Sequence, residues 1–177
     1  VLTPKGTLQA GKPGELRMQV VENKSGKVQT AFDVAHEREF HLLLASKDMH
    51  WFLHEHPEMQ PDGTWIIPIT FPAGGSYWVY GDVAPTGKGS RVLLGQVDVK
   101  GAKPTWSAPW KPATQSVDAG LKGIFSNVGG VIPVGKSTTL QVKLFDSKTG
   151  MPATDTVPWL GAAGHLMIFH KDGQTVV

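Results

Sequence analysis

The fold class follows from a short stretch of the sequence, Trp65-Ile-Ile-Pro-Ile-Thr-Phe71. Successive side chains of an extended strand point to opposite faces, so one face here would carry only large apolar residues: Trp65, Ile67, Ile69 and Phe71. Pro68 predicts that this strand lies at a sheet edge or contains a bulge, because proline has no backbone N–H for an inner ladder. The stretch therefore predicts a half-buried β-strand.

Other short strands with the same character are predicted on both sides, at 16–20, 40–45, 76–80 and 91–99. Glycine- and proline-containing turn sequences separate them, such as Pro61-Asp62-Gly63 and Pro72-Ala-Gly-Gly75. No stretch shows the periodicity of a long helix. The pattern predicts an all-β protein built as an immunoglobulin-like antiparallel β-sandwich.

The sequence also repeats itself. Residues 11–53 align without a gap on 135–177, a shift of 124 positions, and the identities include the pairs His41/His165 and Asp48/Asp172. A repeat of this length predicts two domains of the same fold in tandem. The second copy ends before counterparts of the strands between 65 and 99, so we expect it to be truncated.

The repeat sets the predicted domain organisation: a first β-sandwich at 1–100, a connector at 101–117 and an incomplete second β-sandwich at 118–177. The connector is rich in proline, and its Trp106 and Trp110 are expected to pack on a neighbouring domain or, alternatively, to stack on carbohydrate. The second copy is predicted to form strands at 121–125, 138–145 and 165–170.

An incomplete sandwich leaves a sheet edge unpaired, and an open edge promotes association. We expect the first domain, the connector or another molecule to cover that edge. The predicted partners are therefore an envelope protein or a second copy of the chain that self-associates through the open edge of the second repeat.

Composition excludes several function classes. The chain has no cysteine, which rules out disulfides, zinc–thiolate sites and thiol catalysis within it. A formal charge of +2 without a basic cluster does not favour nucleic-acid binding. No apolar run approaches the roughly 18 residues that a membrane span needs, so no span is predicted.

Histidines are concentrated in one part of the sequence, where five of the seven lie between His36 and His56. His54 and His56 are two residues apart, so on a strand their imidazoles can turn toward one point. His41 on the preceding predicted strand is the natural third ligand, and His50 would share the face of His54 and His56. Imidazoles without thiolate suit copper, zinc or nickel, and Met49 and Met59 could add thioether ligands for Cu(I).

Two other interpretations of these histidines stay open. They could brace the fold through hydrogen bonds to the backbone, or act as a proton-linked switch, because the ordinary pKa of histidine is about 6.5. Enzymatic signatures are missing: His36 and His41 are five positions apart where the zinc-protease motif needs four, and no nucleophile elbow or phosphate loop is present. We therefore expect no enzyme.

Several motifs resemble those of small secreted bacterial β-sandwich domains of the YtkA-like kind. They are His41-Leu-Leu-Leu-Ala-Ser-Lys-Asp48, His54-Glu-His-Pro-Glu58 and Phe71-Pro72-Ala-Gly-Gly-Ser-Tyr77. The resemblance implies an exported, non-enzymatic module with an immunoglobulin-like fold, often found near copper and heavy-metal handling proteins. The resemblance also implies that the histidines of the family's motif correspond to His41, His54 and His56 in this sequence.

The sequence as a whole predicts a tandem β-sandwich protein, secreted or periplasmic, that binds copper or, second, zinc. The candidate metal ligands are His41, His50, His54 and His56, with no catalytic residues. The alternative is a structural or protein-interaction module in which these histidines only support the fold.

Overall fold

A computed structural model describes residues 1–106, 113–127, 131–170 and 172–176. Trp110 of the predicted connector and the terminal Val177 lie outside the described residues. The chain divides into two compact units, one formed by Val1–Ala108 with Trp159–Val177 and the other by Pro109–Pro158. The two units are defined by which residues pack together, whereas the repeat is defined by similarity of sequence between 11–53 and 135–177. The division into 1–100, 101–117 and 118–177 stays a prediction.

The described residues form strands and no helix. In chain order the strands are β1 (Leu2–Pro4), β2 (Pro13–Met18), β3 (Phe40–Ser46), β4 (Phe52–Glu55), β5 (Glu58–Met59), β6 (Trp65–Thr70), β7 (Gly75–Val83), β8 (Arg91–Val99), β9 (Gln115–Asp118), β10 (Leu121–Asn127) and β11 (Leu140–Asp146). The predicted all-β class is confirmed. The immunoglobulin-like and tandem details stay predictions.

In the first unit two four-stranded antiparallel sheets share one hydrophobic core. Their strand orders are β1-β2-β6-β5 and β4-β3-β7-β8. Both sheets contribute to the core, with Leu16 and Ile67 from the first and Leu44 and Tyr77 from the second. Burial of these side chains is the main favourable term for folding, at about 25 cal/mol per Å² of apolar surface removed from water.

Strand β6 has the half-buried structure that the stretch from Trp65 to Phe71 predicts. Trp65, Ile67 and Ile69 are buried on the core face, and Pro68 between them is exposed. Strand β5 pairs only with Trp65 and Ile66, so β6 is an edge strand from Ile67 onward. The predicted edge position of Pro68 is therefore what the structure shows.

Strand β3 is buried on both faces. Phe40, Leu42 and Leu44 face the main core, so the alternate residues of the strand point to the outside of the sandwich. There the C-terminal segment of the first unit (described residues 159–170 and 172–176) covers them. Its apolar side chains pack on a second cluster formed by Leu43, Ala45 and Tyr80, and the packed residues are Met167, Phe169 and Val176.

The second unit contains one antiparallel sheet with the order β11-β10-β9. Strands β10 and β11 occupy the stretches predicted at 121–125 and 138–145. The prediction of a strand at 165–170, which belongs to the first unit, is wrong. Among the described residues, this stretch forms only an isolated bridge between Phe169 and Val176. Whereas β3 has β4 and β7 on its two sides, the described residues give 165–170 no such ladder partners.

Among the described residues, no helical segment has the length and apolar character that crossing a bilayer requires.

Candidate metal centre

Three histidines meet on the outer face of the second sheet. His41 lies on β3 and His54 on β4, and the antiparallel register pairs Leu43 with His54. Continuing that register by two residues brings His56 opposite His41. Residues paired or two apart on neighbouring strands share a face, so the pairing itself brings the three imidazoles together.

The ring nitrogens of these histidines are close enough to share an ion. The Nδ1 atom of His41 lies 3.2 Å from Nε2 of His54 and 3.2 Å from Nε2 of His56. One nitrogen from each ring lies within 4.8 Å of the others. Two nitrogens bound to a tetrahedral ion at about 2.05 Å would be about 3.3 Å apart. The group of His41, His54 and His56, called here the histidine triad, could therefore hold a metal ion.

The other nitrogen of His41 fixes which atom can bind a metal. Its Nε2 donates a hydrogen bond to the carbonyl oxygen of Ala35 at 2.9 Å. In the neutral ring the hydrogen is then on Nε2, so Nδ1 carries the free lone pair and faces the other two histidines. Histidines that bind metals are commonly held in this way by a backbone carbonyl.

Burial favours the uncharged form of two members of the triad. It lowers the pKa of His54 from its ordinary value, with a further contribution from His41. Burial, followed by the nearby His54 and His41, lowers the pKa of His56 to about 4. A protonated imidazole has no lone pair to donate, so these shifts favour the form that binds metals.

A cavity of about 270 Å³ adjoins the triad. The triad contributes His41 and His54 to its lining, and the C-terminal segment contributes the opposite wall. Other lining residues include His36, Asp82, Ala162, His165 and Met167. The centre is thus open on one side to a space larger than a single water molecule needs.

Aromatic rings of the C-terminal segment stand beside the triad. The ring centroid of Trp159 lies 6.0 Å from that of His54 and 5.8 Å from that of His56. His165 donates from Nε2 to the carbonyl oxygen of Trp159 at 3.0 Å, and its ring is 5.2 Å from that of His36. Residues about a hundred positions apart in sequence therefore surround one site.

Comparison with known proteins gives a family for this part of the chain. The family model described as a domain of unknown function, DUF8832, matches residues 1–100. The chain belongs to the DUF8832 family. No curated protein and no solved structure matches it. The resemblance to YtkA-like domains stays a prediction.

The whole histidine triad lies within the matched DUF8832 domain, while Trp159 and His165 lie outside it. His50, the fourth candidate ligand from the sequence, is in the turn between β3 and β4 and does not belong to the triad. Its Nδ1 lies 3.0 Å from the carbonyl oxygen of Asp48, and its backbone N–H donates to the Asp48 carboxylate at 3.2 Å.

The methionines considered for Cu(I) pack elsewhere in the DUF8832 domain. Met59 packs against the main core, and Met49 packs against the cluster of Leu43, Ala45 and Tyr80. Neither Met49 nor Met59 therefore supplies a thioether to the triad, whereas Met167 of the C-terminal segment lines the adjoining cavity.

Sequence reasoning did not assign His36, Asp82, Trp159 or His165 to the site. One signal pointed toward His165, namely its alignment with His41 in the repeat. Nothing in the sequence brings the C-terminal segment to the outer face of β3, because that contact depends on tertiary packing.

Proposed function

We propose that the DUF8832 domain binds a transition-metal ion through His41, His54 and His56, with copper as the first choice and zinc as the second. The observation that carries this proposal is the position of His41 Nδ1, which is 3.2 Å from a nitrogen of each of the other two rings. In this view the triad is the functional centre of a non-enzymatic binding protein.

A metal ion satisfies this arrangement better than hydrogen bonds alone. Nδ1 of His41 has one lone pair, and two Nε2 atoms compete for it at the same distance. If the histidines only braced the fold, one of these contacts would lack a proper hydrogen bond. An ion that accepts all three lone pairs removes that conflict.

The ligand chemistry supports copper and zinc. Three neutral imidazoles form a borderline donor set that suits Cu(II) and Zn(II), and copper stands above zinc in the usual order of affinity. A triad without carboxylates is a poor site for calcium or magnesium, which prefer oxygen ligands.

Two further parts of the proposal concern location and activity. An exported protein, secreted or periplasmic, is supported by the motifs that resemble YtkA-like domains. A binding role without catalysis is supported by the missing enzymatic signatures in the sequence.

The tandem repeat is also part of the proposal, and local geometry supports it. The turn residues His36 and Leu160, 124 positions apart, both have positive φ, at 46° and 48°. His41 and His165 each bond to a carbonyl six residues earlier. Backbone hydrogen bonds recur at the same shift: Glu22–Lys27 with Asp146–Met151, Gln29–Val20 with Ala153–Leu144, and Ser46–Trp51 with His170–Thr175.

Association through the second unit completes the proposal. Its three-stranded sheet exposes the apolar side chains of Val117, Leu121 and Val142 at 62%, 37% and 54%. Exposed apolar side chains on a sheet with unpaired edge strands favour contact with another surface. The proposed partner is therefore a second copy of the chain or an envelope protein.

The test is a metal titration of four purified proteins. The wild type and His50→Ala should bind Cu(II) and Zn(II) with equal affinity, because His50 lies outside the triad. We expect His54→Ala to weaken binding by at least about 100-fold and the His54→Ala/His56→Ala double variant to abolish it, since ligands are lost directly. Unchanged affinity in the double variant would leave only the structural role of these histidines.

A further inference from the structure

We propose that the cavity beside His41 and His54 is a binding site for a small monovalent anion, which acts as an additional ligand of the bound metal ion. This inference rests on the proposed metal site and names what that site would recognise. It concerns the space next to the triad.

The triad alone gives a tetrahedral ion an incomplete ligand set. Three imidazoles fill three positions of a tetrahedral ion, and a three-ligand site keeps one position for water or an exogenous molecule. His41 and His54 both line the cavity, so an ion held by the triad borders it. The space of about 270 Å³ exceeds the roughly 30 Å³ that one water molecule occupies in the liquid.

An ion in the triad would carry excess positive charge. A divalent ion bound by neutral imidazoles keeps its full charge of 2+, and the ion is then the largest local charge in the site. Asp82 is the one carboxylate among the residues that line the cavity, and its Oδ1 accepts a hydrogen bond from Ser90 at 3.2 Å. One carboxylate offsets only one of the two charges of the ion, and Arg38 adds a positive charge near His56. The site therefore stays positive, and a small anion beside the ion would reduce that charge.

The opposite wall of the cavity is anchored by contacts away from the triad. The hydroxyl of Tyr80 donates to the carbonyl oxygen of Gly173 at 2.6 Å. The ring of Phe169 lies 5.2 Å from that of Tyr80 and 5.7 Å from that of Phe52. These contacts hold the C-terminal segment in place, so the cavity does not need the ion or the anion in order to exist.

Ala162 and Ala163 provide a matched pair of variants. Ala162 lines the cavity and is half-buried, whereas its neighbour Ala163 is exposed and is not a lining residue. Ala162 already exchanges backbone hydrogen bonds with Trp159, and a longer side chain leaves those groups unchanged. Leucine at position 162 would fill part of the cavity, while leucine at position 163 adds the same bulk outside it.

The experiment uses azide as the anionic probe on the full chain loaded with Cu(II). Copper affinity is measured first for the wild type, Ala162→Leu and Ala163→Leu, and azide is then titrated into each while its charge-transfer absorption with copper is followed. We expect equal copper affinity in all three. Azide should bind the wild type and Ala163→Leu equally and Ala162→Leu at least about tenfold more weakly.

The outcomes separate the two proposals. A wild type that binds no copper overturns the metal site and this inference with it. Copper binding without any spectral response to azide overturns the cavity site alone. Equal azide affinity in Ala162→Leu and Ala163→Leu would also overturn it, because the anion would then bind somewhere other than the cavity.

Discussion

His41 donates a hydrogen bond from Nε2 to the carbonyl oxygen of Ala35 at 2.9 Å. This contact places the ring hydrogen on the side away from His54 and His56, so the lone pair on Nδ1 faces them. The backbone carbonyl of Ala35 does not titrate in this pH range, so it remains an acceptor for Nε2. The metal-binding account of the triad starts from this contact.

The stability of the metal-free protein should depend on pH through His56. Its pKa is about 4 in the folded state and about 6.5 when unfolded. Between these values the unfolded chain binds more protons, so the free energy of unfolding falls as pH decreases. The stability that the neutral His56 ring contributes to the folded state is fully present above about pH 6.5 and is lost as pH falls through about 4.

Urea unfolding at several pH values measures this effect. We expect His56→Gln, which cannot titrate, to show a shallower loss of stability between about pH 7 and about pH 5. His50→Gln is the matched control and should keep the contribution that His56 makes. Equal slopes for the wild type and His56→Gln would contradict the burial of an uncharged His56.

Metal affinity should resist acid better than ordinary histidines would allow. The sequence alone predicts that binding weakens as pH falls through about 6.5. The lowered pKa values of His54 and His56 move proton competition at these two rings to lower pH. We expect Zn(II) affinity to decline less between about pH 7 and about pH 6 than that of an unfolded peptide covering 41–56, as measured by competition titration.

Most of the sandwich could be predicted from the sequence because its strands show either the alternation of one buried face, as in β6, or the continuous apolar run of a strand buried on both faces, as in β3. The alternation in Trp65 to Phe71 and the runs at 40–45 and 91–99 correspond to β6, β3 and β8. Periodicity carries less information where tertiary contacts decide the structure. The segment at 165–170 has the apolar character of β3, yet without neighbours for a ladder it forms no regular strand.

The site could be predicted in part for the same reason. His54 and His56 share a face through their spacing, and pairing of β3 with β4 adds His41. His50 departs from the pattern because the strand begins only at Phe52, after a turn in which Met49 has a φ of 59°. Local turn geometry of this kind overrides a period-two pattern.

Docking of the C-terminal segment should be sensitive to a single methyl group at Gly173. A Cβ there would overlap Nε1 of Trp78 and lie 2.8 Å from Cε of Met49. Gly173 also has a φ of 70°, which disfavours alanine by itself. We expect Gly173→Ala to displace the segment and raise amide hydrogen exchange across residues 159–170.

Gly11 is the matched control for this variant. Its φ is 69° and a Cβ there would meet nothing within 4 Å, so Gly11→Ala introduces the backbone strain without the clash. It should cost roughly 1 kcal/mol and leave exchange in the C-terminal segment unchanged. Equal exchange in the two variants would show that the contact with Trp78 and Met49 does not hold the segment.

The central claim is that His41, His54 and His56 together bind one ion, and X-ray absorption spectroscopy of the zinc-loaded protein tests it most directly. We expect three imidazole nitrogens at about 2.0 to 2.1 Å, with the same spectrum in His50→Ala and a loss of imidazole scattering in His54→Ala. A zinc shell with fewer than three imidazoles, or one that changes in His50→Ala but not in His54→Ala, would contradict the account.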